Sequence, residues 1–104
     1  MRRGEIWWAN LPAPAGPRPV VLISRDAAYE RRRSVTIAPV TTTIRGLPVE
    51  VALGPEDGVT RQSVVNADDI TTIRKAILAR RIAVLSPSKM ISVGEAIRFA
   101  LGLR

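Results

Sequence analysis

The chain has 104 residues, a hydrophobic fraction of 46% and a formal net charge of +7, which suits one small folded domain and argues against wholesale disorder. It contains no histidine and no cysteine, which excludes disulfides, Cys-based zinc sites, Cys proteolysis and Ser–His–Asp catalysis. Of its 16 basic residues only Lys75 and Lys89 are lysines, and arginine is the planar, bidentate phosphate binder, so RNA or DNA is the first partner to consider.

The first predicted strand is EIWWANL, residues 5 to 11. Trp7 and Trp8 are adjacent, so they point to opposite faces, one into the core and one free to stack on a base. Glu5, Asn10 and Pro12 interrupt any apolar leader, and no run approaches the ~20 residues of a membrane span; a cytosolic location is expected. PAPAGP turns the chain. RPVVLIS comes next, and its unbroken Val20–Ile23 run predicts a strand covered on both faces. RDAAYERRR is polar and reads as an exposed loop or a short helical turn. SVTIAPVTT, residues 34 to 42, is a third strand. IRGLP is a turn, VEVAL a short strand and GPEDG a second turn. SVVNADDITTI holds one strand and room for another, with Asn66 to Asp69 between them. RRIAVL closes the strand series.

The one clear helix is SPSKMISVGEAIRFALGL. Ser86 is a fitting N-cap, Pro87 sits at N1, and Gly102 is placed to end it. Met90, Val93, Ile97 and Leu101 form its apolar stripe, more simply core than a cofactor site. Gly94 weakens this helix by about 1 kcal/mol relative to alanine. Several short strands and a terminal helix give a mainly β fold, a strongly curved sheet or partial barrel with the helix packed on it.

Few residues invite chemistry. Arg18 stands at the mouth of a core strand between Pro17 and Pro19, which fix its backbone. It is either a rim arginine paired to a carboxylate or a fixed cation aimed at a phosphate. Thr41 ends the third strand, where its hydroxyl sits beside Arg18 if the two strands pair; plain β-propensity also explains it. The acidic pairs Glu56-Asp57 and Asp68-Asp69 fall in turns, where local hydrogen bonding is their ordinary use, so no metal site is expected. Arg31 to Arg33 and Arg80-Arg81 read as solvated charge, adding affinity but no chemistry if beside a nucleic acid. A GC-rich genome would also enrich arginine, but would not by itself tip the charge balance. These residues alone support a small basic partial barrel that binds nucleic acid.

RRGEIWWANLP resembles the opening of the MazF/PemK toxin family. RPVVLISRD is similar to that family's Arg-Pro strand. VTIAPVTTTIRGLPVEVAL resembles its third-strand threonine, connecting loop and fourth strand, and SVVNADDITTI, RRIAVLSPSKM and EAIRFALGL continue in its order. The resemblance spans essentially the whole chain. It implies an SH3-like small barrel with a C-terminal helix, acting as a homodimeric endoribonuclease toxin of a type II toxin–antitoxin pair. Such toxins cut single-stranded RNA at short sequences without a metal or other cofactor, and an acidic antitoxin blocks them. The implied catalytic pair is Arg18 and Thr41. The implied RNA contacts are Trp8, Pro19, Thr42, Thr43, Arg45 and Asp69, although turn formation is the plainer role for Asp69. One departure stands out: the loop before Arg18 is shortened to PAPAGP, without the family's Gly-Ser-Glu-Gln, its acidic group or its base-reading side chain. Two other functions stay open: a non-catalytic basic SH3-like module, and a gyrase-directed toxin of the same fold, although those typically lack the Arg–Thr pair.

Overall fold

The computed structural model describes residues 1–104. In chain order the elements are β1 (Glu5–Asn10), β2 (Pro17–Leu22), α1 (Ala28–Arg31), β3 (Ser34–Thr41), β4 (Glu50–Leu53), β5 (Ser63–Asn66), β6 (Thr71–Arg74), β7 (Leu78–Val84) and α2 (Pro87–Leu101). Short 3-10 turns lie at Pro55–Asp57, Ala67–Asp69 and Lys75–Ile77. Every strand pair is antiparallel. The strands run in the order β4-β5-β3-β2-β1-β7, and β6 pairs with β3. β3 serves two partners because it is long: Ser34–Ile37 pairs with β6 and Val40–Thr41 with β5.

β2 is covered on both faces, as its unbroken apolar run predicts. Val21 joins Ile6, Ala38, Leu53, Val65 and Val93 in a core of 14 residues under α2. Val20 and Leu22 point the other way, into a core of seven with Ala9, Tyr29, Val35, Ile37 and Leu78. Each such side chain contributes about 1.5–3 kcal/mol on full burial, so β2 is held from both sides at once.

The mainly β fold with its C-terminal helix is as expected, and one seam of the sheet stays open. The SH3-like barrel is not closed by hydrogen bonds: β4 and β7 are the ends of the strand order and do not pair. β4 is only four residues long, and the β1–β7 pairing is broken by register shifts between Ile6 and Trp7 and between Trp8 and Ala9, which bend β7 away. Side-chain packing bridges the gap instead. Gly58 sits at φ +93, and a Cβ there would lie 2.4 Å from the Ala83 Cβ. The turn after β4 therefore lies directly on β7.

Two corrections concern burial. RDAAYERRR contains α1, but Ala28 and Tyr29 are buried, because the lone phenol ring completes the second core and its hydroxyl donates to the Ser24 carbonyl at 3.0 Å. In α2, Ser86 caps as expected, its Oγ accepting the Lys89 N–H at 3.1 Å, and Gly102 ends the helix in the left-handed region. The buried stripe is Val93 and Ala96, flanked by Met90, Ile97 and Ala100. Leu101 is 60% exposed, since the last helical turn rotates it off the core.

Candidate active site

Arg18 reaches its place through proline geometry. Pro17 stands opposite Asn10 and Pro19 opposite Trp8 across the β1–β2 ladder. Its guanidinium does not meet a carboxylate. Nε donates to the Ala15 carbonyl at 3.1 Å, and Nη2 donates to the same oxygen. The side chain is thereby aimed by the turn that precedes it, which is closed by the Gly16 N–H on the Pro12 carbonyl at 3.1 Å. The rest of the guanidinium's five-donor fork has no partner within the chain.

Thr41 is brought to Arg18 by strand pairing. β2 and β3 pair as Val20 with Pro39, Val21 with Ala38 and Leu22 with Ile37. The same register, continued, sets Arg18 opposite Thr41. Pro19 and Pro39 lack an N–H, which ends the ladder before that pair and leaves the rim open. The Thr41 Oγ1 accepts the Thr43 N–H at 3.1 Å, so its hydroxyl proton remains free to donate.

Both residues line a groove of ≈ 750 Å³. Trp8, Pro19 and Thr42 line it with them, together with Thr60, Ser63, Arg61, Arg80 and Arg81. No aspartate or glutamate reaches it. Four guanidiniums, of which only Arg81 is paired to an acid, make this the natural seat of a phosphate chain. Trp8 lies between Pro19 and Arg80 on the neighbouring strands, half-buried, with a face available for stacking. Trp7, on the opposite face, packs against the second core and donates its indole N–H to Glu5 at 2.9 Å.

Glu5 is the buried acid behind the groove, 7% exposed. Burial pushes its carboxyl up, but the Trp7 indole, the Arg2 backbone, the N-terminal charge and Arg81 together hold it below its ordinary value. Arg81 pairs with it at 3.5 Å, so one groove cation is anchored from behind. The remaining expected RNA contacts lie outside the groove lining. Thr43 and Arg45 are exposed on the loop after β3, where Glu50 gathers the backbone N–H groups of Arg45, Gly46 and Leu47. Asp69 accepts a hydrogen bond from Asn66 at 3.1 Å. Sequence reasoning missed Arg61 and undervalued Arg80 and Arg81; only the β1–β7 register, with its two shifts, puts the latter pair at the groove.

The family model described as "PemK-like, MazF-like toxin of type II toxin-antitoxin system" matches residues 2–101. The chain belongs to this MazF/PemK toxin family. It is 44% identical to "Probable endoribonuclease MazF5" of Mycobacterium tuberculosis over 95% of its own length and 91% of the relative's. Among solved structures it is similar to the Mycobacterium tuberculosis toxin MazF-mt6, with a TM-score of 0.89 at 36% identity, covering 96% of this chain and 98% of the other. It is also similar to a mycobacterial endoribonuclease solved with its cognate antitoxin, with a TM-score of 0.88 at 31% identity, covering 100% and 97%. The protein is thus a MazF-type endoribonuclease toxin. The MazF match takes in every strand that walls the groove.

Proposed function

We propose that the groove cuts single-stranded RNA at short sequences, without a metal or other cofactor, by using the substrate's own 2′-OH. The 2′-oxygen bonds to the adjacent phosphorus as the P–O5′ bond breaks. Its proton passes to water, and the departing O5′ takes one from water. The products are a 2′,3′-cyclic phosphate and a 5′-OH. Because RNA supplies the nucleophile, the protein has only to orient it in line and to stabilise charge on the phosphate oxygens.

Arg18 takes the second task. The observation that carries this reading is its guanidinium: clamped on the Ala15 carbonyl, unpaired to any acid, and sharing an acid-free groove with Thr41. A guanidinium stays protonated at neutral pH and is a poor base, so its role is electrostatic. Thr41 donates its hydroxyl to a phosphate oxygen or orients the 2′-OH. Trp8 stacks a base, and Pro19, Thr42, Thr43, Arg45 and Asp69 complete the RNA contacts, the last three from outside the groove.

The test is cleavage of a long single-stranded RNA in excess EDTA, with the ends mapped. Wild type should cut at a short motif. Arg18→Ala should lose ~10²–10³ in rate, the usual cost of removing one preorganised donor. A substrate with 2′-deoxy at the cut site should resist. Cutting that needs a metal, or that survives Arg18→Ala, overturns the assignment.

The same reading places the chain in the cytosol as one toxin domain acting in a homodimer. The exposed Ile91 and Phe99 of α2 support pairing of two copies. An acidic antitoxin segment is the proposed inhibitor, supported by the net charge of +7 and by the antitoxin-bound relative.

A further inference from the structure

A second concave pocket, of ≈ 420 Å³, lies at the other end of the β2–β3 ladder, between the segment after β2 and α2. Arg3, Arg25, Arg32 and Arg98 converge on it with Ser24 and Thr36, and no carboxylate lines it. None of the four arginines forms an ion pair. Arg3 is held in place, its Nη1 donating to the Ile23 carbonyl and its backbone N–H to the Asp26 carboxylate at 2.7 Å. Ser24 accepts the Thr36 N–H at 2.8 Å, leaving its hydroxyl proton free. Four like charges drawn to one small hollow repel one another. An anion with several acceptor oxygens relieves that, and guanidiniums favour phosphate geometry.

The floor of the pocket is apolar. Ile70, Ile97 and Leu101 line it, beside Gly94. This glycine sits inside α2 and costs the helix about 1 kcal/mol, yet a Cβ there would meet nothing within 4 Å. No packing contact requires its bare backbone, whereas the open space over it belongs to the pocket.

We propose that this pocket is a second RNA-binding site. It holds one nucleotide of the substrate strand away from the cut, its phosphate on the arginines and its base on the Ile70–Ile97–Leu101 floor. Six residues of extended chain separate Ser24 from Arg18, so the site lies about 20 Å from the cleavage groove at the usual strand rise. A strand bound at both places would cross the molecule, whose longest extent is 33 Å. This inference rests on the endoribonuclease assignment but not on the roles given to Arg18 and Thr41.

The experiment measures RNA binding by fluorescence anisotropy across a salt series, using a non-cleavable oligonucleotide with 2′-deoxy at the cut site. A short form covers only the cut motif; a long form extends well beyond it on both sides. Two variants are compared with wild type: Arg25→Gln/Arg98→Gln, which removes charge, and Gly94→Leu, which fills the floor without changing charge. Both should weaken the long RNA roughly tenfold and leave unchanged the binding of the short RNA and the cleavage of its all-ribose counterpart. The double variant should also flatten the salt slope by about 0.7, the share of the one phosphate it no longer holds.

Equal loss on short and long RNA would reduce the effect to the general field of the protein and overturn the site. So would full affinity of the long RNA for Gly94→Leu, whose thermal melt checks that it is folded. A poly-glutamate probe released by the variants while long RNA stays bound would assign the pocket to an acidic protein segment instead. Failure of wild type to cut in EDTA would strike the cleavage mechanism alone, since binding is read separately.

Discussion

Tyr29 is the only tyrosine in the chain, so its titration can be read without ambiguity. Burial pushes its phenol up to about 12, with the Asp26 charge adding to the effect. The neutral form is thus favoured in the folded state, and the folded protein holds this proton where the unfolded chain, at about 10, releases it. The stability it contributes is fully present below pH 10 and is lost as pH rises from 10 towards 12. Ultraviolet absorbance of the phenolate should show a midpoint near 12 in the native state, and Tyr29→Phe should flatten the alkaline loss of stability. A native midpoint at 10 would contradict the buried hydroxyl. The sequence carried little sign of this burial, because Tyr29 stands among arginines and Glu30, and only the second core beneath it makes the difference. Arg18 and Thr41 were easier to read: flanking prolines and a strand end mark them locally. Arg61 had no local mark at all.

Among the elements, the gap between β4 and β7 is the feature with the sharpest consequence. Gly58 combines a left-handed backbone with contact on Ala83, and it also lines the groove. Gly58→Ala would cost about 1–2 kcal/mol for the backbone and roughly a further 1–3 for the overlap. Chemical denaturation should show a loss of that order, accompanied by weaker RNA binding as the groove wall shifts. Unchanged stability would mean that the turn lifts freely off β7. The strands themselves were legible because β-branched runs and Pro/Gly turns punctuate them, and α2 because its caps do. What pattern alone does not give is register. It decides that Arg80 faces Trp8 and that the ladder stays open.

At the scale of the molecule, charge and shape divide the surface. The two arginine-lined hollows have no acid in their linings, while Glu5, buried behind Arg81, and the Lys89–Asp57 pair at 3.6 Å are structural. No helix is long and apolar enough to cross a membrane. Light scattering on the isolated toxin should give the mass of two chains. An acidic antitoxin polypeptide should then displace labelled RNA competitively, less well as salt rises. A monomer at micromolar concentration would remove the homodimer, and simultaneous binding of RNA and antitoxin would remove the shared surface.

The clamp on Arg18 carries control outside the groove. Ala15 is exposed and is not part of the groove lining, yet its carbonyl aims the guanidinium. On the role proposed for Arg18, the turn between β1 and β2 would act as a safety catch. A molecule that bends it would disarm the toxin without entering the cleft, and substrate would still bind while turnover stops. Inhibition by misalignment and inhibition by occupancy would then be two separate locks on one enzyme, only the second contested by RNA.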